Sequence, residues 1–518
     1  MKALLMHPDR DVDLQRPMPE HEADLRQDLA LDVLLDAMAG EDTFLFEMAR
    51  KALLLGPSND TNTVVYRQDI VRDALAHSDV LRQCYELAVE AIEGKRKSYW
   101  SFTGNYPSSI LHGAVSVLGI FIDVLEKLRA LTVAHGTGFE SRGLKALCAM
   151  LRSEFDDAYL ARVRTHLTEL KLDQGVLLSA QLSQGNVGTS YTLREAAYSR
   201  PYWLDRLWSK RESGYTFRIA DRDQAGAQAL SDLRNRGINE VANALAQAME
   251  HILGFFEMLR AELAFYVGCV NLHAKLTALG VTNCFPQVAG TRRLQFRGLC
   301  DASLALSMGR SVVGNALDAD DKQLAIVTGA NQGGKSSFLR SVGLAQLMMQ
   351  SGMFVAAESF AGELCAGLFT HAKREEDATL RSGKFDEELR RLSAIVDRLR
   401  PGAVVLFNES FASTNELEGS EIARQVVGAL LERGIKVFFV THLYTFARGL
   451  FDHPPDGAIF LRAERLDDGR RTFRIIEGEP LQTSHGVDLY REVFGDDTVR
   501  TGDLMAAAQA GTCVIRSD

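Results

Sequence analysis

Apolar residues recur at three- and four-residue steps over most of the first half of the chain, the spacing of amphipathic helices. Between residues 25 and 170 the segments DLRQDLALDVLLDAM, RQDIVRDALAHSDVLRQCYELAVEAIEG and YLARVRTHLTELKL carry this pattern. The longest run lies in residues 237–279, where NEVANALAQAMEHILGFFEMLRAELAFYVGCVNLHAKL is rich in strong helix formers. No proline lies between Pro201 and Pro286. The pattern predicts one very long helix, or two joined end to end. Such a helix outgrows a compact domain and suggests a lever or arm. Upstream of it GVLLSAQLSQGNVGTSYTLRE alternates and turns at Gln184-Gly185-Asn186, the signature of a β-hairpin. Residues 201–226, with Trp203, Trp208, Tyr215 and Phe217, read as a short connecting excursion.

After Pro286 the periodicity changes to strands alternating with helices. Residues 324–328 form a short apolar strand, followed by a glycine loop and a helix to about Gln350. Residues 403–408 predict a second buried strand, with a helix from about Glu418, and 436–441 a third. Residues 458–464 and 472–477 predict a terminal hairpin. This alternation implies an α/β layer with a mostly parallel sheet.

A chain of 518 residues exceeds one hydrophobic core and predicts two to four domains. The net charge of -10 argues against a polycation that coats nucleic acid, so any DNA binding must come from a local surface. The seven cysteines are scattered and form no C-x-x-C pair, which argues against a zinc site or a disulfide framework and fits a reducing compartment. The N-terminal MKALLMHPDRD is too short in apolar residues for a signal peptide. The most apolar window, residues 110–122, is interrupted by His112 and falls short of the roughly 20 residues of a membrane span. A cytoplasmic protein with no membrane partner is expected.

The strongest chemical signal is Gly329-Ala330-Asn331-Gln332-Gly333-Gly334-Lys335-Ser336, a complete G-x-x-x-x-G-K-[ST] between a strand and a helix. Its glycines let backbone N–H groups close around phosphate oxygens, and the helix N-terminus adds a favourable field. Lys335 is expected to reach the β- and γ-phosphates and Ser336 to ligate Mg²⁺. Ser337 follows in the same turn. The second signal is the apolar strand ending in Asn408-Glu409. Glu409 is the candidate general base for an attacking water. Asn408 stands where such strands usually carry Asp; its amide can still accept a hydrogen bond from a metal-bound water but lacks the charge. Weaker Mg²⁺ binding or slower turnover is expected. The third signal is Thr441-His442 at the end of the next strand, with His442 a candidate sensor of the γ-phosphate or the water.

These segments resemble the MutS family. TGANQGGKSSFLRSVGLAQLMMQSGMFVAAESF is similar to the MutS ATPase motif, and VVLFNESFASTNELEGSEIA to its acidic strand and following loop, with Thr414 and Gly419 on family positions and Glu418 where the family has Asp. LRSGKFDEELRRL resembles the signature segment through Ser382, Phe385 and Glu388. RTFRIIEGEPLQTSHGVDLYREVFG resembles the closing hairpin and helix, and TVVYRQDIVRDAL a segment of the MutS core domain. The resemblance implies a multidomain protein: an all-α core and lever region followed by an α/β P-loop ATPase domain of the ABC type. Its expected bounds are an extension at 1–24, the helical region at 25–285 with a reduced clamp near 175–235, the ATPase domain at 286–500 and a tail at 501–518. It also implies ATP and Mg²⁺ as ligands and a homodimer formed through the ATPase domains. Each site would then be completed by the other subunit's signature segment around Ser382.

The family's mismatch sensor carries Phe-x-Glu in an N-terminal domain. No Phe-x-Glu occurs in the first two hundred residues, and the core-like region begins near residue 25. Mismatch recognition in the usual way is therefore not expected, and no Smr-type tail is seen. Lys95-Arg96-Lys97 with Tyr99, Trp100 and Phe102, and Arg292, Arg293 and Arg297, read as surface or interdomain charges before nucleic-acid contacts. Two readings follow: an ATP-dependent DNA-associated clamp of the MutS class acting in repair or recombination, or a nucleotide-gated protein scaffold with weak ATPase activity. An SMC-like arm protein fits less well, because no heptad run of coiled-coil length is present.

Overall fold

The computed structural model describes residues 1–56, 59–99, 106–173, 175–194, 217–290, 292–374, 383–466 and 470–481. The chain divides into two compact units: Met1–Pro17, Met38–Ala52 and Asn62–His273 in the first, and Met18–Ala37, Leu53–Thr61 and Ala274–Asp518 in the second.

Helices come first: α1 (Glu22–Asp28), α2 (Leu31–Ala39), α3 (Thr43–Leu54), α4 (Thr61–Ala76), α5 (Ser78–Tyr99), α6 (Pro107–His135), α7 (Arg142–Glu154) and α8 (Asp157–Glu169). The starts follow capping chemistry. The side chains of Ser141 and Asp156 accept from the amides of Leu144 and Tyr159, satisfying donors that α7 and α8 leave open. A two-stranded hairpin, β1 (Leu177–Leu182) and β2 (Gly188–Arg194), is antiparallel and turns through Gln184–Asn186, with Gly185 at φ 74°. The predicted long helix is a single element, α9 (Gln224–Ala278), of 55 residues. Trp203, Trp208 and Tyr215 lie outside the described residues, whereas Phe217 is exposed.

One expectation needs correction. The apolar window around residues 110–122 belongs to the much longer α6, which is long and apolar enough by length and composition to cross a membrane. Half of its most apolar stretch is buried inside the protein, against neighbouring helices that supply what a bilayer would otherwise provide. Two of the three basic residues at the end of α5 pair with acids: Lys95 contacts Glu250 at 2.7 Å and Lys97 contacts Glu93 at 3.5 Å.

The first residues of the chain are pinned into the first unit by buried polar groups. Glu262, fully buried, accepts from the amides of Leu5 at 2.5 Å and Val12 at 3.1 Å. The hydroxyls of Tyr66 and Tyr266 donate to the Leu4 and Leu5 carbonyls. Arg67, also fully buried, donates to the Met6 carbonyl at 2.8 Å and meets His7 Nε2 at 3.2 Å. A guanidinium can only donate, so His7 accepts there in its neutral form. Burial, reinforced by Arg67, lowers the His7 pKa to about 4. Burial raises Glu262 to about 7 despite its amide donors.

In the second unit, β6 (Leu324–Thr328), β8 (Leu368–Ala372), β9 (Val404–Asn408), β10 (Lys436–Val440), β11 (Ala458–Arg465) and β12 (Arg471–Glu477) form one sheet, in the order β12-β11-β6-β10-β9-β8. All neighbours are parallel except β11 and β12. β6 and β8 are buried at every position, which is why they read as continuous apolar runs rather than alternating ones. Helices α11 (Lys335–Gln350), α12 (Lys384–Val396), α13 (Glu416–Glu432) and α14 (Tyr444–Asp452) connect these strands. A smaller sheet, ordered β3-β7-β4-β5, comprises β3 (Gln287–Val288), β4 (Leu294–Leu299), β5 (Asn315–Asp318) and β7 (Ser359–Gly362), with α10 (Ala302–Met308) between β4 and β5. Arg293 lies 3.8 Å from Asp320, an ordinary surface pair.

Replacing Glu262 with Ala leaves the buried Leu5 amide and the part-buried Val12 amide without their acceptor, at a cost of about 1–3 kcal/mol for the buried one. The expected result is faster hydrogen exchange at Leu5 and Val12 and earlier cleavage of the first residues by protease. Unchanged protection at both amides would show that Glu262 does not hold this segment.

Candidate active site

Strand β6 ends in the loop 329–334, which delivers the chain into α11. Gly329 has φ 114°, and a Cβ built there would meet the Ala463 backbone nitrogen at 2.9 Å. Gly334 has φ 93°, and its Cβ would meet the Phe473 carbonyl at 3.1 Å. Both positions combine a left-handed backbone with a close wall from the β11–β12 hairpin, so a side chain is strained at either. Asn331 and Gln332 are exposed, and Arg471 donates to the Gln332 side-chain oxygen at 2.7 Å.

Lys335 is buried at the start of α11. Its ammonium donates to the carbonyls of Gly329 at 2.8 Å and Ala330 at 3.0 Å. Burial lowers its pKa, and the nearby Glu409 carboxylate opposes that shift. The Ser336 hydroxyl donates to Asn408 Oδ1 at 3.0 Å, joining the glycine loop to the end of β9. Strand pairing sets this contact. Asn408 is in register with Val440 on β10, and Val440 with Val327 on β6. Ser337 sits one residue further along α11, half-buried.

Glu409 follows Asn408 with φ 54°, and its amide donates to the Val440 carbonyl at 2.9 Å. Phe411 is also left-handed, with φ 64°. Non-glycine residues in this region cost of order 1–3 kcal/mol each, so surrounding contacts must hold the turn. Thr441 is buried, with its amide on the Val327 carbonyl, and its hydroxyl oxygen accepts from Leu443. His442, next in sequence, is exposed at the same end of the sheet. Ser382 lies outside the described residues. Phe385 and Glu388 fall on α12, where Glu388 is buried.

Two features escaped the reading of the sequence. The first is a cavity of about 330 Å³ bordering Gly334 and Ser337, lined by Leu304, Val312, Val313, Phe338 and Phe473. Phe473 has φ 59° and is about half exposed. The signal was faint: an apolar pair, Val312-Val313, in a short segment before β5. The second is a buried polar cluster beside Glu409. His371 Nε2 lies 3.1 Å from the Glu388 carbonyl, and a carbonyl can only accept, so this nitrogen carries the proton. Its Nδ1 lies 2.7 Å from the Ser410 hydroxyl, which is also 2.8 Å from the His371 carbonyl. Burial lowers the His371 pKa to about 4, which keeps the ring neutral, so the single Ser410 hydroxyl proton is shared between Nδ1 and the His371 carbonyl. Glu388 Oε1 accepts from the Phe411 amide at 2.5 Å. Glu388 stands in the signature-like segment and Ser410 in the acidic-strand segment, but nothing in the sequence announces that they meet at His371.

Among the described residues no group of three His, Cys, Asp or Glu forms a metal cage. The oxygen donors beside the loop are those of Ser336, Asn408 and Glu409. Such a sparse set suits a hard cation that keeps waters and is held largely by substrate phosphates.

The second unit is thus an α/β domain whose mainly parallel sheet feeds a glycine loop into a helix, with an acid just after a nearby strand end. Residues 59–279 match the family model of the MutS2 N-terminal domain, and residues 325–494 that of MutS domain V. The chain belongs to the MutS family. It is 34% identical over 141 residues to the endonuclease MutS2 of Thermus thermophilus, covering 26% of this chain and 19% of that protein. It is 27% identical over 222 residues to the DNA mismatch repair protein MutS of Chloroflexus aurantiacus, covering 42% and 23%. It is 32% identical over 213 residues to the endonuclease MutS2 of Solidesulfovibrio magneticus, covering 39% and 27%. The matched part thus spans about a quarter or less of the first relatives' length.

The neutral His371 carries a pH signature. Its folded pKa lies below its unfolded value of 6.5, so the unfolded chain binds the extra proton. The associated stability is present above pH 6.5 and is lost as pH falls toward 4, by up to about 3 kcal/mol. Denaturant titrations from pH 7.5 to 4.5 should show a shallower acid loss for His371→Asn than for wild type. Parallel curves would remove His371 from the account.

Proposed function

We propose that the protein is an ATP-binding and ATP-hydrolysing, DNA-associated clamp of the MutS family, working in mismatch repair or a related DNA repair or recombination process. The observation that carries this reading is the Ser336–Asn408 hydrogen bond, which brings the glycine loop and the acidic strand end together beside Glu409. In this reading the amides of residues 329–336 and the Lys335 ammonium enclose the β- and γ-phosphates. Lys335 exchanges its two loop carbonyls for phosphate oxygens, a substitution favoured because the ammonium is already desolvated. The base and sugar enter the apolar cavity, where the half-exposed Phe473 ring offers a stacking face.

Ser336 and Asn408 would hold Mg²⁺, the first by its hydroxyl and the second through a water, and the ion would supply positive charge to offset that of the phosphates. Glu409 takes the proton of the attacking water, and His442, exposed at the neighbouring strand end, senses the γ-phosphate. Two subunits pair through these domains, with the segment around Ser382 completing the partner's site. The helical unit with α9 acts as core and lever, and the β1–β2 hairpin belongs to a reduced clamp. The relatives named for mismatch repair and for endonuclease activity support a DNA ligand.

Asn408 favours a second reading. Without the usual carboxylate the site binds metal more weakly, and the protein then serves as a nucleotide-gated scaffold with little turnover. Phosphate release separates the two. Lys335→Ala should lower ATP affinity, and Glu409→Gln should keep ATP binding while turnover falls by about 10²–10⁴-fold. ATP affinity unaltered by Lys335→Ala would sink the phosphate-loop reading. Asn408→Asp should lower the Mg²⁺ concentration needed for half-maximal turnover. Absent hydrolysis that Asn408→Asp does not restore would favour the scaffold. Turnover should rise with duplex, branched or single-stranded DNA at a fixed low salt. No response to any of them would remove the DNA clamp.

A further inference from the structure

Glu409 and Phe411 stand in left-handed backbone conformations on either side of Ser410. Besides the backbone bond from Glu409 to Val440, two side-chain contacts reach that turn and a third braces them. The Ser410 hydroxyl lies against His371 Nδ1. The Phe411 amide donates to Glu388 Oε1. The His371 ring, through Nε2–H, is fastened to the Glu388 carbonyl. His371, Glu388, Ser410 and Phe411 are all buried, and the Phe411 ring lies against His371, Phe407 and Phe439. Two different groups of one residue on α12, its side chain and its carbonyl, therefore tie the helix to the turn and to β8. Glu388 Oε2 finds no hydrogen-bond partner among the described residues, so the carboxylate is committed to the turn by one oxygen.

We propose that Glu388, His371 and Ser410 are positioning residues that fix the Glu409 carboxylate, so that turnover depends on how α12 is seated while nucleotide affinity does not. This rests on the reading of Glu409 as the water-activating base. None of the three lines the cavity beside Gly334. Their loss displaces a catalytic group without removing any phosphate or base contact. A misplacement of about 1 Å is enough to cost roughly 100-fold in rate.

The test uses the full chain with Mg-ATP. ATP affinity is measured by equilibrium titration with a non-hydrolysed analogue, turnover by phosphate release, and folding by thermal melting. Ser410→Ala should lower kcat by about 10- to 100-fold with analogue affinity unchanged, and Glu388→Ala should lower kcat to a similar extent. Glu388→Gln keeps an acceptor for the Phe411 amide and should recover most of the lost turnover. If Glu388→Ala melts below the assay temperature, Ser410→Ala and the Gln variant carry the test. Unchanged kcat in Ser410→Ala, or a loss confined to affinity, overturns the proposal. A Glu409→Gln control that hydrolyses ATP like wild type would instead sink the reading of Glu409, and the two failures are thereby told apart.

Discussion

Parallel pairing of β6, β10, β9 and β8 fixes where the loops at their C-terminal ends lie, and the candidate groups stand on or beside those loops. The strands are buried along nearly their whole length, so a slip in register would expose apolar side chains and carry the loops out of alignment. That constraint brings Ser336 within hydrogen-bond reach of Asn408, more than seventy residues later. It also lets the Glu409 amide close on the Val440 carbonyl and the Thr441 amide on the Val327 carbonyl. The fold does not create chemistry here; it delivers a serine, an amide and a carboxylate to one edge.

Much of this was legible before any coordinates. The strand over residues 324–328 and the helix after it read correctly because a fully buried parallel strand is a plain apolar run, and because glycine positions at fixed spacing announce a phosphate-type loop. The body of α9 from residue 237 onward was legible because no proline interrupts it and its composition favours helix; its start at Gln224 was not, since residues 201–226 read as a connecting excursion. The extent of α6 was not, since its apolar face and its flanks differ in polarity and only packing joins them. The cavity with Phe473 was hidden because its lining comes from segments far apart in sequence. Local patterns cannot report such convergence. The His371–Ser410–Glu388 cluster was hidden for the same reason, with an added one. A buried histidine, serine and glutamate are ordinary residues until their hydrogen bonds are counted.

Buried polar groups recur as fasteners in both units. Glu262 and Arg67 hold the first residues, and His371 with Glu388 holds the turn after β9. In each case the group is costly to bury, and the cost is offset by backbone donors and acceptors that would otherwise be unpaired. Apolar residues of similar volume could fill the space but could not dictate which amide points where. Orientation, rather than net stabilisation, is what these groups contribute.

The hairpin of β11 and β12 supplies Ala463, which crowds Gly329, and Phe473, which crowds Gly334 and lines the cavity. Both walls are made more than a hundred residues after the loop they enclose. On the ribosome, a nascent chain that has just passed His442 already contains the glycine loop, Asn408 and Glu409, yet the wall that β11 and β12 supply is still missing. Capture of a ligand during synthesis must wait for the last strand of the sheet, so the order of translation itself separates possession of the motifs from possession of the pocket.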